Sequence, residues 1–429
     1  MIGITRRTFN TVVGAASAVS ALALTVGAAR SARTGPSVVV VGGGFGGASA
    51  AKYLRRFDPS LQVTLIEPNK TFYTCPFSNL VLAGLRTMDS IGHSYESLRS
   101  KHGVNVVHDT VTAVDPVAKK LTLKGGGSMT YDRLVMSPGI DFKWGAVQGY
   151  DEAASERIPH AWKAGPQTIL LRKQIETMDD GGLVIIVPPE NPFRCPPGPY
   201  ERAGLIAHYL KTNKPRSKIL ILDPKEKFSK QALFMEGWKT LYPGMIEWVP
   251  LSQDGTVERV DAKAMTVETE FGTKHKAAVI NVIPPQKAGA IAHAAGVVDE
   301  TEWCPVHQQT FESKIHKGIH VIGDASIAGA MPKSGFSASS QGKVVAAAIV
   351  ALLEGRPPAS PSLSNTCYSL IGPNYGISVA AVYRLKDDEI VSVEGAGGVS
   401  PIGAPSAFRK KEAEYAEGWY QSIASDMFG

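Results

Sequence analysis

Four cysteines carry the thiol chemistry open to this 429-residue chain, and none belongs to a C-x-x-C pair. Cys75, Cys195, Cys304 and Cys367 are far apart, so neither zinc-ligand spacing nor a disulfide-stapled mini-domain is indicated. Cys195 is the most informative. It stands in residues 188–201, Pro-Pro-Glu-Asn-Pro-Phe-Arg-Cys-Pro-Pro-Gly-Pro-Tyr-Glu, directly after the apolar run 182–187. A buried strand feeding a nucleotide site opens into glycines whose N–H groups grip a pyrophosphate. Prolines have no N–H to offer. The turn therefore predicts a nucleotide site lost and a thiol gained. Cys367, in Asn365-Thr-Cys-Tyr-Ser369, follows 172 residues later. If the two thiols converge they form a redox disulfide that a sulfur nucleophile can open. The plain alternative is two unrelated buried thiols. Glu201, six residues past Cys195, is a candidate base or, equally, a solvated carboxylate at a helix start.

These groups need a scaffold, and the first one is explicit. Residues 37–41 are a continuous apolar run, as expected for a strand buried on both faces. Gly42-Gly-Gly-Phe-Gly-Gly47 follows, then a helical stretch, then a second strand ending in Glu67, 20 residues beyond Gly47. This is a βαβ unit with G-x-G-x-x-G and a ribose-binding acid. Gly42 makes the tight turn, Gly44 lets the backbone approach the pyrophosphate, Phe45 lies between them and the helix, and Gly47 allows close helix–strand packing. Residues 132–139, ending in Ser137-Pro-Gly139, resemble the chain crossover of two-dinucleotide flavoproteins. Residues 318–324, ending in Gly323-Asp324, resemble their late FAD motif, in which an Asp reaches the ribityl chain. The order of the three motifs predicts FAD.

The fold class expected is α/β: two Rossmann-like dinucleotide-binding domains of the glutathione-reductase, FAD-dependent pyridine nucleotide-disulfide oxidoreductase type, plus a C-terminal α+β domain. The FAD domain is split over 35–150 and 275–355. Residues 151–274 form a second Rossmann-like domain without an NAD(P)H loop, with a helix over about 203–210. Residues 360–429 follow the Pro-rich linker 356–361. Met331-Pro-Lys-Ser-Gly335 leads into a long Ala/Val-rich helix whose N-terminus, with Lys333 and Gly335, would face the flavin and stabilise negative charge there. Cys75, in Phe72-Tyr-Thr-Cys-Pro-Phe77, falls where the chain passes the flavin ring, and could bond its 8α-methyl group; a core cysteine is the plain alternative.

The N-terminus reads as a twin-arginine export signal over 1–29. Thr5-Arg6-Arg7-Thr8-Phe9 precedes a short Ala/Ser/Gly-rich apolar stretch and Gly27-Ala28-Ala29. A periplasmic location follows, and with it permission for disulfides. No integral membrane span is expected, because the stretch is too short. The net charge of +6 includes two of the leader's arginines, and no basic block with interleaved aromatics occurs, which argues against nucleic acid. In the tail, Phe408, Tyr415, Trp419 and Ile423 share one helical side and read as a lid or core helix, flanked by Glu412, Glu414, Glu417 and Asp426.

The chain resembles the flavoprotein subunit of flavocytochrome c sulfide dehydrogenase. The resemblance runs through residues 41–44, 73–75, 193–202, 303–306, 315–326, 331–335, 365–368 and 419–420, nearly the whole mature chain in order. It implies 8α-S-cysteinyl FAD on Cys75, a redox disulfide between Cys195 and Cys367, and Glu201 and Trp419 near the sulfide site. Cys304 matches a family cysteine without an assigned role. Hydrosulfide is the implied substrate, sulfur or polysulfide the product, and a c-type cytochrome subunit the electron acceptor. The haem must come from that partner, since C-x-x-C-H is absent. Two alternatives stay open: a sulfide:quinone oxidoreductase, and an accessory flavoprotein that reactivates a sulfur-carrier protein of a thiosulfate-oxidising system. An NADH-dependent disulfide reductase conflicts with the proline turn.

Overall fold

The computed structural model describes residues 35–429, which form one compact unit. The expected export signal lies outside the described residues. Ser37–Val41, four of its five residues buried, is central because β-branched side chains suit a pleated surface covered on both faces. It pairs in parallel with Gln62–Ile66 on one side and Arg133–Met136 on the other. Ile319–Val321 extends the parallel sheet beyond Arg133–Met136, and Asn105–Val107 extends it beyond Gln62–Ile66. The ends of these strands thus gather the first glycine loop, the crossover and the Gly-Asp motif at one edge.

Two helices stack on this sheet. Phe45–Phe57 and Gly335–Leu353 pack against each other closely enough that a Cβ on Gly342 would sit 2.6 Å from the Gly46 carbonyl oxygen. Ser49 and Ser339 hydroxyls hydrogen-bond across the contact at 2.9 Å. Gly335–Leu353 is long and apolar enough to cross a membrane, but 61% of its apolar window is buried inside the fold.

The second sheet runs Ile246–Val249, Lys218–Leu222, Leu183–Val187, Val279–Val282, all parallel. This corrects the domain boundary expected at 275. Val279–Val282 is fully buried and belongs to the central sheet, so the chain returns to the FAD part after Val282. A strand buried on both faces carries no alternation that would say which sheet it joins. The helix after Leu183–Val187 also starts earlier than expected. It spans Gly198–Asn213, because Pro197 and Pro199 fall at its start, where a missing N–H costs nothing.

Residues from Ser362 form a three-stranded antiparallel meander, Ser362–Gly372, Tyr375–Lys386 and Glu389–Val399, closed by the helix Ser406–Phe428. The expected apolar stripe of this helix is out of phase with its buried face. Phe408 and Tyr415 are exposed, whereas Arg409, Glu412, Ala416, Tyr420 and Ile423 are buried. A buried ion-pair network explains the shift. Arg409 bonds Glu236 at 2.8 Å and Glu412 at 3.3 Å, and Glu236 also accepts from the Tyr375 hydroxyl and the Gly403 N–H. Glu412 is therefore a core residue. Asp426 pairs with Lys343 at 2.6 Å and Glu417 pairs with Arg86, so three of the four tail acids are neutralised by partners.

Candidate active site

The three parts of the fold meet around a cavity of about 530 Å³. Its lining includes Gly42, Gly44, Phe45, Glu67, Gly139, Asp324 and Gly335, and also Cys75, Cys195, Glu201, Cys367 and Trp419. The first group is shaped by backbone. Gly42 has φ +94°, and a Cβ there would meet the Ser137 carbonyl oxygen at 2.3 Å. Gly47 does not line the cavity; a Cβ on it would lie 1.8 Å from the Gly42 carbonyl oxygen, so its place is the tight helix–strand contact. Glu67 accepts from the Gly43 N–H at 2.9 Å and from the Asn69 N–H and side-chain amide at 3.0 and 2.8 Å, which fixes its carboxylate beside the loop.

Asp324 supplies the observation that tests the fit of FAD. Its Oδ1 is shielded from solvent and has no hydrogen-bond partner in the protein. Burial pushes its carboxyl above the usual range, against the pull of Arg194 and Lys333. An orphaned acceptor aimed into a cavity fits a ligand hydroxyl, as the ribityl chain provides. The glycine loop, Glu67 and this acceptor together suit the dinucleotide half of FAD.

Lys333 departs from its expected place. Its ammonium donates to the Asp324 and Ser326 carbonyl oxygens at 2.7 and 3.1 Å and sits 3.8 Å from the Trp303 ring centre, outside the cavity lining. Burial lowers its pKa to about 8. Its backbone carbonyl accepts the Cys195 N–H at 2.8 Å. Lys333 therefore ties the Asp324 turn to the Cys195 turn rather than facing the flavin. Ser334 caps the helix Gly335–Leu353 instead, accepting from the Ser337 N–H at 3.1 Å.

Each thiol that lines the cavity comes from a different segment. Cys75 follows Thr71–Tyr73, and its Sγ–H donates to the Trp162 carbonyl oxygen at 3.4 Å. Cys195 adopts the left-handed region, φ +58°, and its carbonyl oxygen accepts from the Gly198 N–H at 2.8 Å as the helix begins. A non-glycine residue there costs on the order of 1 kcal/mol, held by those two backbone bonds. Cys367 is in the strand Ser362–Gly372, opposite Val379. All four cysteines are free thiols in the structure. Burial raises the pKa of Cys195 first, and negative charge on Cys367, Glu201 and Cys75 raises it further. Cys367 is raised by burial too, with Lys230 opposing. Cys304 is buried in the FAD part, its thiol pushed up to about 12, and does not line the cavity.

Glu201 is not a solvated helix-start carboxylate. Oε2 accepts from the Asn79 amide and Oε1 from the Leu370 N–H, both at 2.8 Å, and burial raises its pKa. Trp419 lines the same cavity, its ring 6.4 Å from that of Tyr368 and its Nε1–H buried without a partner. Sequence reasoning missed Arg202 and Asn79. Arg202 is fully buried and donates to Asn79 Oδ1 (3.1 Å), Asn281 Oδ1 (2.7 Å) and the His160 and Ala161 carbonyl oxygens (3.0 and 2.6 Å). Burial lowers its pKa to about 10. It places a cation behind Cys75, Cys195 and Glu201. The one signal available was an Arg beside Glu201 in an otherwise apolar helix.

The arrangement brings three thiols, a buried carboxyl and the first glycine loop to one cavity. Comparison with known proteins agrees. Residues 168–284 match the family profile described as the central part of the sulfide dehydrogenase [flavocytochrome c] flavoprotein chain. Residues 359–428 match the flavin-binding part of flavocytochrome c sulphide dehydrogenase, and residues 36–161 match pyridine nucleotide-disulphide oxidoreductases. The chain is 75% identical over 44 residues, 10% of its own length and 92% of the other, to a flavocytochrome c flavoprotein chain of Chlorobaculum thiosulfatiphilum. It is 24% identical over 304 residues, 67% of its length and 65% of the other, to a mitochondrial sulfide:quinone oxidoreductase of Dictyostelium discoideum. The solved sulfide:quinone oxidoreductase of Aquifex aeolicus shares its fold, with TM-score 0.68 at 18% identity over 91% of this chain and 92% of that one. The chain thus belongs to the flavoprotein family of flavocytochrome c sulfide dehydrogenase, and is a flavin-binding, sulfide-oxidising oxidoreductase.

Proposed function

We propose that the protein oxidises hydrosulfide at a Cys195–Cys367 disulfide in the periplasm and passes the electrons to a c-type cytochrome subunit. The observation that carries this reading is the convergence of Cys195, Cys367, Glu201 and Cys75 on the cavity that also holds the glycine loop and Asp324. FAD would be held by Gly42, Gly44, Glu67 and Asp324, with Cys75 as its candidate tether, and would supply the electron acceptor for this chemistry. The remaining work belongs to the chain. Proline-flanked Cys195 presents its sulfur at the end of the second domain, and Cys367 presents its own from the C-terminal strand. Glu201, with a raised pKa, takes the proton of the incoming sulfur. Trp419 and the half-buried walls exclude water, which favours thiolate attack over hydrolysis. The twin-arginine leader supports export, and the missing C-x-x-C-H supports a separate haem subunit.

An anaerobic sulfide titration tests the proposal. Flavin absorbance should bleach with sulfide and return with oxidised cytochrome c, and the yellow colour should stay with acid-precipitated polypeptide. An inert spectrum would overturn it. The likeness to sulfide:quinone oxidoreductases favours a second reading, in which a quinone accepts the electrons. Faster reoxidation by a soluble quinone than by cytochrome c would select it.

A further inference from the structure

Arg194 is a cavity-lining cation that the chemistry above leaves without a role. It stands beside the cavity thiol that the proposed disulfide does not use. The Cys75 Sγ–H donates to the Trp162 carbonyl oxygen at 3.4 Å, and a guanidinium N–H of Arg194 donates to the same oxygen. The cation is therefore no farther from that sulfur than two hydrogen-bond lengths. The shared oxygen is held in place. The Trp162 N–H donates to His160 Nδ1 at 2.9 Å, and burial keeps that imidazole neutral by lowering its pKa to about 3. Arg202 pins the His160 and Ala161 carbonyl oxygens just before it. The Trp162 indole lies so close to the helix Gly198–Asn213 that a Cβ on Gly198 would sit 2.6 Å from it. Three cations line the cavity: Lys163, Arg194 and Arg202. Lys163 pairs with Asp141 at 3.1 Å, and Arg202 spends its donors on four acceptors. Arg194 keeps its Nε–H buried and without a partner.

We propose that the Trp162 carbonyl aims the Cys75 thiol and that Arg194 takes up the sulfur's negative charge as its proton leaves, so that the pair promotes the bond between Cys75 and the flavin. The inference rests on Cys75 as the flavin tether. A carbonyl oxygen orients a thiol but has no proton to offer a thiolate. A buried, unspent guanidinium donor beside it supplies a charge-assisted hydrogen bond instead. The step balances between the thiol and the flavin. A bond forms between Cys75 Sγ and the flavin 8α-carbon, while the S–H bond and one methyl C–H bond break. The electron pair and both protons end on the flavin ring, which is the oxidant and is left reduced by two electrons. A fixed cation beside the site favours negative charge developing there.

The experiment uses the full-length protein, produced under flavin starvation and then given FAD. Acid-stable yellow colour is followed in time, beside the total flavin that stays with the protein after desalting. Wild type should tether FAD. Arg194→Gln should tether it roughly tenfold more slowly, the loss of one hydrogen bond to a charged group, while binding as much in total. Arg194→Lys should recover part of the rate. A second readout needs no flavin. In the starved protein, iodoacetamide labelling of Cys75, mapped by peptide mass, should slow by a similar factor in Arg194→Gln and recover in Arg194→Lys, because the thiolate is the reacting form. A wild-type rate in Arg194→Gln by either readout overturns the inference and leaves the tether standing. So does a failure of Arg194→Lys to recover, which would reduce the arginine to packing. If Arg194→Gln takes up no FAD, the labelling rates decide. Flavin fully released by acid from the loaded wild type overturns the tether itself, and the inference with it.

Discussion

Glu201→Gln separates the structural from the chemical role of the buried carboxyl. Glu201 accepts two hydrogen bonds, from Asn79 Nδ2 and the Leu370 N–H. A glutamine amide can accept only one of them and sets an NH₂ group against the other donor. Asn79 cannot flip to relieve this, because its Oδ1 already accepts from Arg202 Nε at 3.1 Å. The lost acceptor costs about 1 kcal/mol while the wild-type carboxyl is protonated. The pH dependence then has a definite sign. Burial raises the folded-state pKa of Glu201 above its unfolded value. The native state therefore binds more protons over that interval, and wild-type stability falls as pH rises through it. The loss is about 1.4 kcal/mol for each pH unit between the two titrations. Glutamine does not titrate, so the variant is weakest relative to wild type in acid and gains on it as pH rises. Urea unfolding of both proteins between about pH 4 and pH 8 measures the difference directly. The chemistry should move the other way. Removing the base should slow sulfide bleaching of the flavin by about a hundredfold and flatten the rate profile above the Glu201 titration. Parallel stability curves would refute the burial argument, and an unchanged bleaching profile would refute Glu201 as the base.

Asp324→Ala removes one buried hydrogen-bond acceptor and should lower the fraction of chains that acquire flavin, read as the flavin-to-protein absorbance ratio of the protein as purified; a wild-type ratio would show that Oδ1 does not meet the cofactor. Cys195→Ser and Cys367→Ser should each abolish sulfide bleaching while leaving flavin absorbance unchanged, and bleaching at the wild-type rate in either would remove that sulfur from the reaction. Gly342→Val should lower the Tm, since its Cβ would press on the Gly46 carbonyl and on Ser49. About 1–3 kcal/mol is expected from overpacking alone, and wild-type melting would show that the two helices can separate freely.

What was legible in the sequence was local. Gly42, Gly47 and Glu67 act within one βαβ unit, and a φ of +94° or a carbonyl 1.8 Å from a hypothetical Cβ leaves residue choice no freedom. The domain boundary at Val282 was not legible, because Val279–Val282 is buried on both faces, Asn281 included, and only its partner Leu183–Val187 assigns it to a sheet. The phase of the C-terminal helix was hidden for a different reason. Arg409 and Glu412 look like surface residues until Glu236, 173 positions away from Arg409, neutralises the cation inside the fold.

The site itself shows why reactive residues are harder to read than cofactor loops. Glu201 becomes a buried, bonded carboxyl only through Asn79, 122 residues before it, and Leu370, 169 residues after it. Arg202 is buried by four acceptors drawn from three segments, and without them a guanidinium there would cost several kcal/mol. Such groups have no sequence signature of their own, since their chemistry is a property of convergence. Cys195 is the exception because its turn breaks a local rule. Prolines stand where pyrophosphate donors belong, and the left-handed backbone at Cys195 is held by the Lys333 carbonyl and the Gly198 N–H rather than by its own preference. A thiol in that position depends on the FAD-domain turn that also carries Asp324. Loosening the Lys333 turn should therefore disturb the reactivity of Cys195 and the loading of flavin together, because the Lys333 carbonyl oxygen accepts the Cys195 N–H while its ammonium donates to the Asp324 carbonyl oxygen.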